Sequence, residues 1–565
     1  MRRYFYVFLS GVLFTTCQRP QPDVARIPAP VKTRPTASAP AKPVTPPEIL
    51  RPLASADSLD APAPEYTTPV PSPKHEFRAV WIATVENIDW PSKKGLSSAE
   101  QQTEFTYLLD YYRQTNFNAV VVQVRAAADA FYAKSSEPWS EWLTGQQGRA
   151  PEPFYDPMAF MIDETHQRGM EFHAWLNLDR GTFSPKSVIT ADHVSRQHPE
   201  WFLTYGGRKL FNLGLPDVRA YVAGVTANIV REYDVDGIHF DDYFYPYAIE
   251  GQVLRDDEAY RQHYNGMAKN DWRRDNVDKL ILQLRDSIRA VKPFVKFGIS
   301  PFGVWKNQKA DPDGSPTNGG QSFYDLYADT RKWAQKGWID YIVPQIYFTT
   351  EFERVPYRTM VDWWQGNCGR AHLYIGHGAY RVGNPRERDA AWRDPTQMAT
   401  QVRYNRQVSE TASLSNKQPV LGSVYFSAKS LVNNPLGVRD SLQTGAYRLP
   451  ALVPPMFWID SLPPLPVQNL TLTAVTGGKT LTWQSAQAAV DGDTARCFAI
   501  YRVEGRRATV NVADPRNLLT VSPWNRVVTQ FTDRTADPKK RYTYAVTALD
   551  RLNNESRAAV VRTRL

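Results

Sequence analysis

The stretch "DVRAYVAGVTANIVREYDVDGIHFDDYFYP", residues 217 to 246, contains the unit from which the rest of the fold is predicted. Its first half places apolar side chains on one face at helical spacing: Val218, Tyr221, Val222, Val225, Ile229 and Val230. Its second half contains "GIHF", a short apolar run typical of a strand buried on both faces. The stretch therefore predicts a helix followed by a buried strand, which runs directly into two adjacent carboxylates, Asp241 and Asp242.

Similar apolar runs recur from Glu76 to about Phe457, with amphipathic stretches between them. The eight strand candidates are "FRAVWIATV", "NAVVVQVR", "EFHAWLN", "DGIHFDDYF", "KFGISPFG", "YIVPQIYF", "LYIGHGAY" and "VLGSVYFS". Eight buried strands that alternate with helices predict an α/β fold in which parallel strands close into a (β/α)8 TIM barrel. An open doubly wound sheet is the alternative, but no glycine-rich phosphate loop follows the first strand.

Capping residues predict where several helices begin. Asp156 and Asp394 each precede a proline, which fits an N-cap followed by proline in the first turn. The run Ser98-Ala99-Glu100-Gln101 fits a capping box.

The amino-terminal 74 residues predict export rather than folding. "MRRYFYVFLSGVLFTTC" combines two arginines, an apolar run of secretory length and small residues before Cys17. It resembles a bacterial lipoprotein signal, which implies that Cys17 is lipidated and anchors the chain to a membrane in the cell envelope, on the periplasmic side or at the cell surface. A plain signal peptide is the alternative. The next segment is dominated by Pro, Ala, Thr and Ser and predicts an extended tether.

The last hundred residues have a different sequence pattern. "VQNLTLTAVTGGKTLTWQ", "CFAIYRVEG" and "YTYAVTALDRLNNES" predict short alternating strands with polar turns. Together with an inward Trp483 and a central Tyr501, they resemble a fibronectin type III module, a small all-β immunoglobulin-like sandwich. We therefore predict four segments: a lipoprotein signal over 1–17, a tether over 18–74, the barrel over 75–460 and the sandwich over 465–565.

Charge and cysteine content exclude several classes of partner. The net charge is +9, but Lys and Arg are scattered rather than clustered, so we expect no nucleic-acid partner. Cys368 and Cys497 fall in different predicted domains, and no cysteine cluster has the spacing of zinc ligands. We therefore expect no disulfide, metal or cofactor, and the oligomeric state stays open.

The chemistry of a (β/α)8 barrel lies at the carboxyl ends of its strands, and the acids of this chain gather at the first four. The polar side chains there are, in chain order, Glu86, Asp89, Arg125, Asp129, Glu137, Asn177, Asp179, Asp241 and Asp242. Strands five to eight end without a carboxylate, in aromatic and amide side chains that include Trp305, Gln345, Tyr347 and Tyr380. A cleft with acids on one side and aromatic rings on the other suits a sugar chain.

Strand alternation orients the carboxylate pair. Ile238 and Phe240 are expected to pack outward against the helices, so Asp241 should point toward the barrel axis. Asp242 should then lie at the rim of the cleft. His239 shares the face of Asp241, where it is either a hydrogen-bonding core residue or part of the site.

Several of these motifs, in this order, resemble glycosyl-hydrolase-like family 10: "EFRAVWIATVENIDWP", "VVVQVRAAADAFY", "EPWSEWLTG", "HAWLN", "GIHFDDYFYP", "ISPFGVW" and "VPQIYF". The resemblance covers about Glu76 to Phe457. It implies a glycosidase of the bacterial cell envelope, a group that includes enzymes acting on peptidoglycan glycan strands stripped of their peptides. A fainter similarity to family 18 chitinases matches Gln345 and Tyr347, but Tyr243 occupies the position of the chitinase acid.

The resemblance, together with the acids, predicts hydrolysis of a polysaccharide by carboxyl groups. Such hydrolysis usually needs one protonated and one ionised carboxyl group, and adjacent acids raise one another's pKa. Asp241 and Asp242 are the predicted catalytic residues; either they divide the roles, or one of them works with Asp129 or Glu86, by a retaining or an inverting route. The predicted substrate-binding residues are Arg125, Asp129, Asn177, His239, Tyr243, Trp305, Gln345 and Tyr347. The competing hypothesis is a lipoprotein that binds a glycan without cutting it.

Overall fold

The computed structural model describes residues 71–485, 487–524 and 528–562. Cys17, the rest of the predicted signal and residues 18–70 of the predicted tether lie outside this part of the chain. Among the helices of the described part, none combines the length and the apolar character that a membrane span requires.

The barrel region contains ten strands, eight of which close into a parallel barrel. The ten are β1 (Phe77–Ile82), β2 (Ala119–Arg125), β3 (Glu171–Leu176), β4 (Phe202–Tyr205), β5 (Arg208–Phe211), β6 (Gly237–Phe240), β7 (Lys296–Ile299), β8 (Tyr341–Ile342), β9 (His372–His377) and β10 (Val420–Tyr425). The closed order is β1-β10-β9-β8-β7-β6-β3-β2. Each predicted apolar run contains one barrel strand, so the (β/α)8 prediction is confirmed and the open sheet is wrong.

Helices connect the strands and cover the outside of the barrel. They are α1 (Ser98–Gln114), α2 (Glu141–Thr144), α3 (Pro157–Gln167), α4 (Val194–Gln197), α5 (Pro216–Glu232), α6 (Asp257–His263), α7 (Lys269–Val291), α8 (Ser322–Asp325), α9 (Thr330–Gln335), α10 (Tyr357–Asn367), α11 (Gln397–Glu410), α12 (Ala428–Val432) and α13 (Val438–Ser441). The quoted stretch forms α5 and β6. Val222 and Ile229 of the helix and Ile238 and Phe240 of the strand share one buried apolar layer, as their periodicity predicts.

The helix starts agree with the caps only in part. The Asp156 side chain accepts hydrogen bonds from the second and third backbone N–H groups of α3, as predicted. The capping box of α1 is formed by Ser97 and Glu100, one residue earlier than predicted. The prediction for Asp394 is wrong, because its carboxylate closes a turn onto Thr396 and α11 begins at Gln397.

The inside of the barrel carries aromatic and histidine side chains up to the level of the strand ends. Gly298 on β7 makes room for the Tyr341 ring, since a Cβ at 298 would lie 2.0 Å from its Cζ. The Tyr341 hydroxyl lies 2.8 Å from Nδ1 of His173 and 3.2 Å from Nδ1 of His239. This layer forms the support beneath the strand ends of β3 and β6.

An antiparallel hairpin between β3 and β6 was not predicted. Its strands, β4 and β5, are joined by Gly206 and Gly207, which both have positive φ. That geometry is typical of a two-residue hairpin turn and favours glycine. A backbone bridge joins Arg180 to Leu210, so the hairpin lies beside the chain that leaves β3.

The C-terminal region forms two antiparallel sheets. Its strands are β11 (Gln468–Val475), β12 (Gly478–Gln484), β13 (Cys497–Glu504), β14 (Leu518–Val521), β15 (Gln530–Asp533), β16 (Tyr542–Leu549) and β17 (Ala559–Arg562). The sheet orders are β11-β12-β15 and β14-β13-β16-β17. Trp483 and Tyr501 are both buried. The immunoglobulin-like arrangement, the fibronectin resemblance and the boundaries at 75–460 and 465–565 stay predictions.

This C-terminal region packs against the amino-terminal end of the barrel. Asn553 donates a hydrogen bond of 2.9 Å to Glu171 at the start of β3. The Trp524 ring stacks on His166 with the ring centres 4.7 Å apart. The opposite end of the barrel, where the strands finish, is where the site lies.

Candidate active site

A cleft of about 400 Å³ opens at the carboxyl ends of the barrel strands. Asp241 and Asp242, at the end of β6, both line it. The cleft also contains amide, hydroxyl, aromatic and guanidinium groups from other strand ends and from the β4–β5 hairpin. It therefore joins a carboxyl pair to side chains that can hold a sugar.

Asp241 is buried, with 5% of its surface exposed. Its Oδ2 accepts a hydrogen bond of 2.5 Å from the Asn177 amide and one of 3.2 Å from the Trp175 indole. Burial raises the pKa of Asp241 well above its ordinary value, and the negative charge of Asp242 raises it further. The Arg180 guanidinium opposes this rise. Asp241 is thus a carboxyl group held in a fixed orientation and biased toward the protonated form.

Asp242 is equally buried and is held by different partners. Its Oδ1 accepts a hydrogen bond of 2.9 Å from the Gln345 amide, and its Oδ2 accepts one from the Tyr247 hydroxyl. Burial raises the pKa of Asp242, whereas these two hydrogen bonds lower it because they favour the ionised carboxylate. The neighbouring carboxyl groups interact, so they titrate as a pair. Interaction between two neighbouring carboxyl groups separates their titration steps, so that one can act as an acid while the other acts as a base.

A third carboxyl group lies in the field of the pair. Asp179, two residues beyond Asn177, is buried, and its Oδ1 has no hydrogen-bond partner among the described residues. Burial raises the pKa of Asp179 to about 7, the Arg180 charge lowers it, and the Asp242 charge raises it. Three acids with raised pKa values at the ends of the neighbouring strands β3 and β6 are typical of a functional site.

Connected aromatic rings line another part of the cleft. Phe426 lies 6.3 Å from both Trp81 and Tyr347, and 6.0 Å from Tyr380, between ring centres. Aromatic faces of this kind provide broad apolar contact area. The expected combination of acids and aromatic rings is therefore present in a single cleft.

Five of the predicted site residues line this cleft: Asp241, Asp242, Tyr243, Gln345 and Tyr347. The predicted orientation of Asp241 toward the axis agrees with its contacts to Trp175 and Asn177, while Ile238 and Phe240 pack outward. Glu86, the alternative partner acid, also lines the cleft and has a positive φ of 54°.

Asn177 and His239 lie beneath the cleft rather than in it. Asn177 accepts a hydrogen bond of 2.6 Å from Gln123 and donates to Asp241, so it orients the carboxyl group. His239 lies 3.2 Å from the Trp81 indole nitrogen and 2.9 Å from the Ser300 hydroxyl. Burial lowers the pKa of His239 well below its ordinary value, which makes it a neutral hydrogen-bonding residue of the barrel core.

The structure does not bring Arg125, Asp129 or Trp305 into the cleft. Arg125 forms a bidentate pair with Glu137, at 2.6 Å for both bonds, and donates to the Asn177 carbonyl. The Asp129 carboxylate accepts hydrogen bonds from the N–H groups of its own turn. The Trp305 indole donates to Asp329, and its ring lies against Trp363. Partners within the protein thus occupy the polar groups through which sugar contacts were predicted.

Three residues that line the cleft were not predicted: Arg180, Arg208 and Tyr247. Asp179 was expected among the acids after the third strand but was not predicted as a site residue. Asp179 follows Asn177 by two positions and shares its face by strand alternation, which is a usable signal. Tyr247 continues the alternation Tyr243-Phe244-Tyr245. The two arginines depend on the hairpin, whose only signal is the Gly-Gly pair between short apolar runs.

Two other features of the described residues lie outside the cleft. A larger cavity of about 600 Å³ is lined by Arg403, Leu449 and their neighbours, but its one acid, Asp514, is paired with Arg516. Asp460, Asp491 and Asp493 lie close enough to share a cation. Exposed acids often approach each other without one, so this cluster carries no metal prediction.

Comparison with known proteins gives a consistent family. The description "Glycosyl hydrolase-like 10" matches residues 76–394. Glycosyl hydrolase YngK of Bacillus subtilis (strain 168) is 45% identical over 491 residues, which cover 86% of this chain and 92% of that protein. Glycosyl hydrolase DigH of Escherichia coli (strain K12) is 37% identical over 335 residues, which cover 56% of this chain and 76% of that protein.

Among solved structures, the glycoside hydrolase domain of PgaB (BpsB) from Bordetella bronchiseptica is similar at 13% identity and a TM-score of 0.40. The match covers 65% of this chain and 98% of that one. This similarity is too low to bear on fold or function. The matched family description and the 45% identity over most of the chain do bear on them: the chain belongs to the glycosyl hydrolase-like 10 family and is a glycoside hydrolase.

Proposed function

We propose that this enzyme hydrolyses glycosidic bonds in a cell-envelope polysaccharide, and that peptide-free peptidoglycan strands are its substrate. The observation that carries the proposal is the buried pair Asp241–Asp242, with raised pKa values, in a cleft lined by aromatic rings. The substrate class comes from the family resemblance. The cleft supports it, because a glycan chain needs an open site with ring-stacking surfaces and two carboxyl groups.

The reaction uses the one proton that the pair retains. The protonated carboxyl group gives its proton to the glycosidic oxygen as the bond from that oxygen to the anomeric carbon breaks. The ionised carboxylate either bonds to the anomeric carbon or removes a proton from the water that attacks it. In the first route, water later releases the sugar from the carboxylate and returns the proton.

Fixed hydrogen bonds prepare the pair for this chemistry. Asn177 and Trp175 hold Asp241, while Gln345 and Tyr247 hold Asp242. Each carboxyl group therefore reaches the sugar from a defined direction, and little reorganisation is needed in the transition state.

The proposal extends to location. Cys17, as a lipidated residue, would hold the enzyme at a membrane of the cell envelope, with the tether between lipid and barrel. Cys17→Ser should move the enzyme from the membrane fraction to the soluble fraction, because the substitution removes the lipid that attaches the chain to the membrane. Unchanged partition of Cys17→Ser between these fractions would contradict the anchor.

The substrate test is direct. The full chain, purified in detergent, is incubated with peptide-free peptidoglycan strands and, separately, with strands that carry their stem peptides. New reducing ends on the peptide-free strands are expected. No reducing ends on either polymer, from an enzyme that is folded by circular dichroism, would refute the proposed substrate.

The anomeric configuration of the first product, followed by nuclear magnetic resonance, separates the two routes. Retention requires a covalent glycosyl–enzyme intermediate, and inversion requires a water between carboxylate and sugar.

A further inference from the structure

Two arginines line the cleft without a carboxylate in contact among the described residues, although Asp179, Asp241 and Asp242 attract Arg180 from beyond contact distance. Arg180 follows β3 and Arg208 begins β5, and both belong to the cleft lining. Among the residues that the structure describes, neither guanidinium donates a side-chain hydrogen bond or forms an ion pair. Their contacts are with aromatic faces: Arg180 lies 4.1 Å from the Tyr243 ring centre, and both arginines lie about 6 Å from that of Phe183.

Other cationic side chains near the cleft are already paired, which makes these two exceptional. Arg381 donates to the Tyr347 carbonyl at 2.6 Å and pairs with Glu387 at 3.1 Å. Arg125, beneath the cleft, is fully engaged with Glu137. A guanidinium is a rigid fork whose geometry matches a carboxylate. Two guanidiniums left open to one cleft therefore call for an anionic group on the bound ligand.

Arg180 is buried but still has donor groups that face the cleft. Only 9% of its surface is exposed. Some described side chains have solvent-inaccessible polar atoms that lack a hydrogen-bond partner, but no Arg180 nitrogen is one of them. Its donors therefore reach the space of the cleft. Arg208, in contrast, is exposed at the entrance. A substituent that projects from a sugar ring in the cleft can meet both, one at depth and one at the rim.

We infer that Arg180 and Arg208 bind a carboxylate substituent of the sugar and make the enzyme selective for acidic glycans. This inference rests on the proposed function and names the feature of the substrate that the same cleft selects. In peptidoglycan this group is the lactyl carboxylate of N-acetylmuramic acid, which is ionised only when no stem peptide is attached. An attached peptide converts it to a neutral amide and extends it, so both charge and space exclude peptide-bearing strands.

A uronic acid also carries a carboxylate, at C6, that the two arginines could bind. The experiment distinguishes this group from the lactyl carboxylate. Initial rates are measured on peptide-free strands, on the same strands after chemical reduction of the lactyl carboxylate to an alcohol, and on hyaluronan, which alternates a uronic acid with N-acetylglucosamine. The unmodified enzyme should lose about 10- to 100-fold in kcat/KM when the carboxylate is reduced, the effect of removing a charged hydrogen-bond partner.

Arg208→Gln completes the comparison. It should lose a similar factor on native strands and show no further loss on reduced strands, because the two changes remove the same contact. Arg208→Lys should recover only part of the rate, since it keeps the charge but not the fork. Arg231→Gln, on the outer helix α5 and exposed, is the matched control and should change neither rate. Arg208 is exposed, so its replacement leaves the buried packing around Arg180 intact.

The outcomes are distinct. Equal rates on native and reduced strands overturn the inference and leave the proposed function intact. Cleavage of hyaluronan but not of peptidoglycan strands supports carboxylate recognition and refutes the proposed substrate. Additive losses for Arg208→Gln and carboxylate reduction place the carboxylate elsewhere and overturn the role of Arg208.

Discussion

The acids at the cleft and two acids at the amino-terminal end of the barrel are all buried, but their contacts with cations differ. At the amino-terminal end, Glu171 pairs with Lys296 at 2.5 Å, and Glu76 pairs with Arg78 and Arg406 at 2.7 Å. These cations lower the pKa of Glu171 and lower that of Glu76 to about 2. At the carboxyl end, Asp179, Asp241 and Asp242 have no ion-pair partner within 4 Å among the described residues, and burial raises the pKa of each.

The opposite pKa shifts distinguish the acids that support the barrel from the acids of the candidate site. Desolvation acts on all these acids in the same direction, so the sign of the pKa shift reports whether a cation lies in contact. The paired Glu171 and Glu76 are held in the ionised form and stabilise the barrel. The acids of the cleft, whose pKa values are raised, are biased toward the protonated form and can transfer a proton.

The largest effect is expected when the charge is removed from the catalytic pair. Asp241→Asn and Asp242→Asn should each reduce hydrolysis of the glycan by about 10²- to 10⁴-fold, the contribution typical of a proton-transfer group. The unfolding free energy should hold or rise, since repulsion between the two acids is relieved. Reducing-end assays and thermal melts on each variant measure both quantities.

The exposed Asp163→Asn on α3 provides the control for this experiment and should keep full activity. An activated aryl glycoside separates the roles within the pair, because the variant that lacks the acid still cleaves a bond whose leaving group needs no proton. Full activity of both pair variants would move the chemistry to Asp179 or Glu86.

At the other end of the barrel, removing a charge should cost stability instead of activity. Lys296→Met leaves Glu171 buried without its cation, which costs about 3–5 kcal/mol of unfolding free energy. The kcat of the folded fraction should stay unchanged, because the ion pair lies at the far end of the barrel. Denaturant unfolding measures the loss, and Lys540→Met, which removes an exposed pair with Glu504, should barely change the midpoint. A Lys296→Met variant that is stable but inactive would show that the two ends are coupled.

The difference between the two ends of the barrel could be predicted from the sequence only in part. Periodicity and run length identified all eight barrel strands, and alternation along "GIHFDD" oriented Asp241 and Asp242. Partners could not be predicted, because nothing in the sequence pairs Arg125 with Glu137 or Trp305 with Asp329. Those contacts are formed by loops whose paths the periodicity does not specify. The same limit hid Arg180 and Arg208, because Arg208 belongs to a hairpin outside the barrel pattern and Arg180 is bridged to that hairpin at Leu210.

The raised pKa of Asp179 predicts a pH dependence of stability with a definite sign. Its pKa is about 7 in the folded state and 3.8 ordinarily, so the folded state binds the proton more tightly. The contribution of Asp179 is therefore complete below about pH 4 and is lost as pH rises through 7, at up to about 1.4 kcal/mol per pH unit. Asp179→Asn should remove this slope, so its stability relative to the unmodified enzyme should increase from pH 4 to 7. A difference independent of pH would mean that Asp179 is ionised throughout.

The smallest expected effect concerns the hydrogen bond from Tyr247 to Asp242. The Tyr247 hydroxyl donates to the ionised carboxylate and thereby favours it, so Tyr247→Phe should raise the lower pKa of the pair. A hydrogen bond to a charged group contributes about 1.5–3 kcal/mol, which corresponds to about 1–2 pH units. The acidic limb of the kcat/KM profile should shift upward by that amount, whereas the maximal rate should fall only modestly because both carboxyl groups remain. Tyr264→Phe, on an exposed tyrosine away from the cleft lining, controls for loss of a phenol. A fall in rate with an unshifted profile would mean that Tyr247 contacts the sugar and does not set the ionisation of Asp242.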